Sequence, residues 1–157
     1  MGNAKMNTNS TTSGGYAGSA MHTTNLASYK TTIQEDFGSQ HILSHEEILT
    51  NAVSSGKSSG WDWTNVTVEI MNEVMVYGHN VWASAPSYES GIDRSQLSLF
   101  KHRHDLITAT NENNERVSWW LRDVVSATDF AFVYPGGITR NSDASVSAGV
   151  RPSFLIY

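Results

Sequence analysis

The chain contains no cysteine in its 157 residues. This excludes a disulfide scaffold, a thiolate metal site and a cysteine nucleophile. It leaves the compartment open, because surface proteins of bacteria and viruses commonly lack cysteine too. No run approaches the roughly 20 apolar residues needed to span a bilayer. Nor does the N-terminus carry the basic stretch and apolar core of a secretion signal. Charge is also scarce. Lys+Arg number 10 and Asp+Glu 15, a net charge of −5. That mildly acidic balance argues against a phosphate-backbone binder, which needs a basic face, so neither a nucleic-acid partner nor membrane insertion is expected. Ser, Thr and Asn are plentiful instead, 47 residues together, which makes the surface polar through neutral hydrogen-bonding groups. With 39% apolar residues, the length suits one domain with a real core.

The opening stretch, Asn3 to Ala20, is dense in Asn, Thr, Ser and Gly. Two readings stay open for it: a poorly packed lead-in, or a loop pinned to the core by Tyr16 and Met21. Leu26, Tyr29, Ile33 and Phe37 recur at helical spacing, with Thr24 or Asn25 as cap and Gly38 as stop. Ser44-His45-Glu46-Glu47 reads as a capping box that opens a second helix, with Ile48, Leu49 and Val53 on one side and Gly56 at its end. Val66, Val68 and Ile70 alternate with polar residues, as in a strand. Val74 to Tyr77 is a second β-leaning run, which Val81-Trp82 could extend. Asp93-Arg94-Ser95-Gln96 is another capping box, opening a short turn that buries Leu97, Leu99 and Phe100. Asn111 to Glu115 reads as a polar loop. Trp119 to Leu121, Phe130 to Tyr134 and Val150 to Ile156 are strand-like. Tyr134-Pro135-Gly136-Gly137 suits a type II turn, with φ > 0 at its third residue. Helices followed by many short strands give an α+β order.

His102 and His104 flank Arg103 and precede Asp105. Two histidines at i, i+2 can share a strand face and hold a metal. No third ligand stands at a motif spacing, and Lys101 and Arg103 repel a cation. A solvated basic loop is the simpler reading, and no metal or cofactor is expected. Glu46, Glu47, Glu69 and Glu73 could supply paired carboxylates for acid–base chemistry. Glu46 and Glu47, however, are accounted for by a helix N-terminus, and Glu69 by a water-facing strand position. No nucleophile elbow, phosphate loop or dinucleotide fingerprint is present. Trp61-Asp62-Trp63 and Trp119-Trp120 could stack on sugar rings; Trp120 is read as core, and Trp61 is open to either role. Arg151 stands in an apolar segment and must be paired if buried, so it reads as a structural clamp on carbonyls or a carboxylate.

At Trp119-Trp120-Leu121-Arg122-Asp123-Val124-Val125-Ser126 and Gly149-Val150-Arg151-Pro152-Ser153-Phe154 the sequence resembles phage and prophage surface proteins that end in a C-type-lectin-like domain. The resemblance extends upstream through Gly14-Gly15-Tyr16, Leu49 to Val53, Glu69 to Glu73, Tyr77-Gly78 and Asp93 to Leu97, nearly the whole chain. It implies an α+β, C-type-lectin-like fold, two helices packed on short and mostly antiparallel strands, related to the formylglycine-generating-enzyme fold. Those enzymes work through cysteines, which excludes their activity here. The calcium-dependent sugar site of animal lectins is not carried over either, since Glu112-Asn113-Asn114 and Trp61-Asp62-Trp63 do not match its motifs. Some relatives are variable proteins of diversity-generating retroelements, in which a C-terminal segment is mutagenised to make new binding surfaces. Here that segment would run from about Val117 to Val146.

The resemblance implies a non-enzymatic recognition domain outside the cell, on a phage virion (a tail protein) or a bacterial surface. Its partners would be a host-cell-surface protein or glycan and the upstream domains of a longer phage protein. Residues 1–20 would be a polar lead-in at the cut end of that longer protein, and 21–157 the ligand-binding domain. The variable surface would comprise Ser118, Thr128, Asp129, Tyr134, Thr139, Arg140, Asn141, Ser142, Asp143 and Val146, with Trp120, Arg122 and Arg151 structural. The supporting core would be the two helices with Trp120, Leu121, Phe130, Val133, Val150, Arg151 and Phe154. The rivals are a structural virion or tail-fibre domain without its own ligand and, more distantly, a glycan hydrolase.

Overall fold

Trp119 and Trp120 are neighbours in sequence, and both are wholly buried. Successive residues of a strand point to opposite faces, so the strand carrying them must be covered on both sides. The computed structural model, which describes residues 2–84 and 94–157, shows how this is done. Strands β1 (Asn3–Lys5), β8 (Trp119–Val124), β9 (Asp129–Val133), β10 (Thr139–Asp143) and β11 (Ser147–Gly149) form a sheet in the order β1-β11-β8-β9-β10. Its pairings are antiparallel except for β11 with β8. Trp120 and Phe130 face one core with Met6, Tyr16, Met21 and Leu49. Trp119, Leu121, Ala131 and Val133 face a second core with Met71, Met75, Val76 and Phe100. Each indole N–H finds a carbonyl, that of Ile107 at 3.0 Å for Trp119 and that of Ala4 at 2.9 Å for Trp120. Burial of these rings therefore strands no donor.

The first core is closed by the opening segment, where the pinned loop is the reading observed. Met6 and Tyr16 are fully buried. The Asn7 side chain donates to the Thr11 carbonyl and accepts from the Ala20 N–H. Gly15, at φ 63°, lies where an added Cβ would come within 2.4 Å of the Thr50 carbonyl oxygen, so only glycine fits. A π-helical turn (Met21–Asn25) leads directly into α1 (Leu26–Phe37). The helix is where the apolar spacing predicts it, and Gly38 ends it at φ 84°. Asn25 makes no side-chain cap, because the preceding π turn already supplies helical partners. Only Leu26 of the helix's four spaced apolar residues is buried, and Phe37 is half exposed against Phe154.

The second helix is not formed. His45–Ser54 is strand β3, paired antiparallel with β4 (Lys57–Val66) as a long hairpin. The capping-box pattern misleads because Glu47 is not at a helix N-terminus. It is buried and paired with a distant arginine. The β-leaning run Val74–Tyr77 is also corrected: it lies in a short helix, α2 (Glu73–Tyr77). Asn72 caps it through the Met75 N–H at 2.8 Å, and Gly78 ends it in the left-handed region. Val81 and Trp82 do not extend a strand and are about half exposed.

Strands β2 (Ile42–Leu43) and β5 (Val68–Ile70) flank the closing strand β12 (Pro152–Ile156). The polar loop at Asn111 joins β6 (Ala109–Thr110) to β7 (Arg116–Val117). Helix α3 (Ser98–His102) buries Phe100 but leaves Leu99 exposed, contrary to expectation, since a one-turn helix covers one side only. The first residue of the capping box expected there, Asp93, lies outside the described residues. The turn after Tyr134 differs in type. The Gly137 N–H donates to the Tyr134 carbonyl at 2.8 Å, but the positive φ falls on Gly137 rather than Gly136. Together with the return bond from the Tyr134 N–H to the Ile138 carbonyl, this makes a type I turn closed by a left-handed glycine.

Candidate functional site

Two polar groupings lie inside the fold. In the first, Arg122 of β8 bonds the Glu47 carboxylate of β3 and donates to the Ile70 carbonyl at 3.2 Å. His45 Nε2 holds the other Glu47 oxygen at 2.8 Å. Burial alone would raise the Glu47 pKa, but Arg122 and His45 outweigh it and hold the carboxyl below its usual value. Beside this pair, the Glu69 carboxylate accepts from the Tyr16 hydroxyl and lies 2.7 Å from His22 Nδ1. Burial, followed by the Glu69 charge, drives the Tyr16 phenol well above its ordinary value. Glu69 is thus not a water-facing strand residue, since it is 1% exposed. The opening loop, the π-helical turn, the long hairpin, β5 and β8 are all tied into this polar brace.

In the second grouping, Glu73 Oε2 accepts the N–H groups of Val81, Trp82 and Ala83 at 2.9, 3.0 and 3.2 Å. Its Oε1 accepts from the Thr139 hydroxyl at 2.8 Å. Asp123 Oδ2 accepts the Glu73 N–H at 2.7 Å. Burial, then the neighbouring Glu73 charge, pushes the Asp123 carboxyl up to about 7. Both Glu73 oxygens are thus committed to donors of the protein itself. The sequence shows these carboxylates but not the link from Asp123 to Glu73, 50 residues apart, or from Glu73 to Thr139, 66 residues apart.

The expected surface residues fall into separate places rather than one patch. At the β9–β10 hairpin tip, Tyr134 and Ile138 are 47% and 53% exposed, and the Arg140 guanidinium lies 5.3 Å from the Tyr134 ring centre. At the other end of the hairpin, Thr128, Asp129 and Asn141 are linked by side-chain hydrogen bonds. Nearby, Asp143 is tied to the Ser10 and Ser145 hydroxyls, and Val146 is exposed. Thr139 faces inward to Glu73, Ser142 is half-buried, and Ser118 sits beyond the start of β8, its carbonyl held by the Gly149 N–H. Alternation along β10 accounts for the split, because Arg140 and Thr139 must point to opposite faces. Ile138 was missed, although an isoleucine just after a Pro-Gly-Gly turn is a visible signal.

Trp120 and Arg122 occupy buried positions. Arg151 is half-buried, donates to the Leu106 carbonyl at 2.6 Å, and lies 5.2 Å from the Phe100 ring centre and 5.1 Å from that of Trp119. His102 and His104 are exposed, and Arg103 pairs with Asp105 at the surface. No cluster of three metal-ligating side chains occurs among the described residues, and none of their helices is long and apolar enough to cross a membrane. Trp61 is half-buried and Trp63 39% exposed on the long hairpin.

Across this whole arrangement, residues 3–157 match one family model, the Domain of unknown function DUF6273. The chain belongs to that family. No curated protein and no solved structure matches it. The DUF6273 match begins at β1, so the opening segment and both polar groupings lie within the family's domain.

Proposed function

We propose that this DUF6273 domain is a non-enzymatic recognition module of the C-type-lectin-like fold. It is displayed on a phage particle or bacterial surface and binds a host-surface protein or glycan. One observation carries the reading. The sheet that buries Trp119, Trp120, Phe130 and Val133 presents, at its hairpin tip, an exposed tyrosine stacked on an arginine beside an exposed isoleucine. Tyrosine and arginine are residue types that dominate binding hot spots. At this tip they can change without touching the core. The C-type-lectin-like reading is supported by one principal helix near the start of the chain and by strands from both ends meeting in shared sheets. A non-enzymatic role is supported by Glu47, Glu69 and Glu73, buried carboxylates whose oxygens are taken up by the protein's own donors. Diversification by a retroelement would act on this same hairpin.

The test replaces Tyr134, Ile138 and Arg140 with alanine together. Stability should change by no more than about 1 kcal/mol, while binding of the labelled domain to a panel of bacterial cells should be lost. Trp120→Ala should instead cost about 3–5 kcal/mol. A triple variant that labels cells as the parent does would overturn the reading. A parent domain that labels no cells would favour a structural virion domain.

A further inference from the structure

A second site lies away from the hairpin tip, in the open cleft between the first helix and the corner joining β4 to β5. The cleft encloses about 420 Å³, within the range of roughly 300–1,000 Å³ typical of small-molecule sites. His22, Leu26 and Lys30 follow one another at four-residue spacing along the helical wall, and Asn65, Val66 and Thr67 line the facing wall. His22 is fixed in orientation. Its Nδ1 is 2.7 Å from Glu69 Oε2, and its ring leans on that of Tyr16 with centres 5.5 Å apart. With the side chain 24% exposed, the edge left for another group is Nε2. Glu69, the one carboxylate among the lining residues, is taken up by Tyr16 and His22. Across the cleft, Thr67 Oγ1 is buried without a hydrogen-bond partner. A buried hydroxyl left unpaired is costly, and it faces away from the cleft, to which Thr67 contributes only the rest of its surface.

We propose that this cleft binds a small carboxylate-bearing, hydroxyl-rich ligand of the uronic-acid type. Lys30 takes the carboxylate, His22 Nε2 and the Asn65 amide take sugar hydroxyls, and Leu26 and Val66 lie against the C–H face. The site is independent of the hairpin-tip reading.

The probe is D-glucuronate, titrated into the full chain and followed by NMR, with D-glucose as the uncharged control. Glucuronate should bind saturably, with the His22 ring signals shifting, and about tenfold or more tighter than glucose. His22→Asn keeps a side-chain N–H to face Glu69 but removes the Nε2 edge, and Lys30→Gln removes an exposed charge. Each should weaken glucuronate binding about tenfold or more. Thr67→Val should melt higher than the parent, because it removes an unsatisfied buried hydroxyl, and should bind glucuronate as the parent does. The hairpin-tip triple variant should bind glucuronate as the parent does. The proposal is overturned by absence of saturable glucuronate binding, by equal affinity for glucose, by parent-like binding in both His22→Asn and Lys30→Gln, or by loss of binding in the tip variant.

Discussion

Asp123 sits partly buried beside the fully buried Glu73, and the consequence is a pH dependence of definite sign. Its carboxyl is pushed from 3.8 up to about 7, by burial first and by Glu73 next. Between those values the folded chain keeps a proton that the unfolded chain releases. Stability therefore falls as pH rises through this window and stays lower above it. Asparagine at this position can still accept the Glu73 N–H but carries no charge. Asp123→Asn should accordingly be more stable than the parent at pH 8 and close to it at pH 4, with the gap measured by urea midpoints at the two values. A parent whose midpoint, relative to the variant's, does not fall over this range would contradict the assignment. Glu47 works in the opposite sense. Arg122 keeps it ionised despite burial, so its contribution is present above the ordinary carboxylate value and is lost as pH falls below it.

Among the elements, the β9–β10 turn separates two glycines that look alike in the sequence. Gly137 holds φ 86°, whereas a Cβ on Gly136 would meet nothing within 4 Å. Gly137→Ala should cost about 1 kcal/mol or more, and Gly136→Ala should be near neutral or slightly stabilising. Denaturant midpoints of the two variants decide this, and the reverse order would restore the type II turn expected from Pro135-Gly136. The first helix and strands β8 and β9 were legible because their signals are local: apolar residues at helical spacing before Gly38, and runs of aromatic and β-branched residues. The long hairpin was not. Ser44-His45-Glu46-Glu47 carries a helix-start pattern, yet Glu47 is set by Arg122, 75 residues away along the chain, and no local pattern reports that pairing. Helix α2 had its signals in Asn72 and Gly78, but β-branched Val74 and Val76 outweighed them in a run too short for periodicity. The candidate surface was legible as a segment and not as a patch, since residues that alternate along an edge strand divide between two faces.

For the molecule as a whole, the covered sheet makes the last residues indispensable. β11 is the partner of β1, and β12 is the partner of both β2 and β5. A chain that lacks residues 147–157 leaves β1, β2 and β5 without the strand they pair with, takes β11 from β8, and uncovers Trp119 and Trp120. It should show no cooperative thermal transition by circular dichroism, whereas a sharp melt near the parent's would mean the sheet closes without them. The pairing of Asn3 with Gly149 also bears on how the protein is made. Synthesis runs from the N-terminus, so the first strand emerges nearly a full chain length before its partner exists. Until then Met6, Tyr16, Trp119 and Trp120 have no finished core to enter, and such uncovered apolar surface is what makes nascent chains stick to one another. Folding is thus postponed until residues 147–157 have left the ribosome. A stalled or slowly completed chain of this kind depends on chaperones far more than one whose neighbouring strands pair in the order they are made.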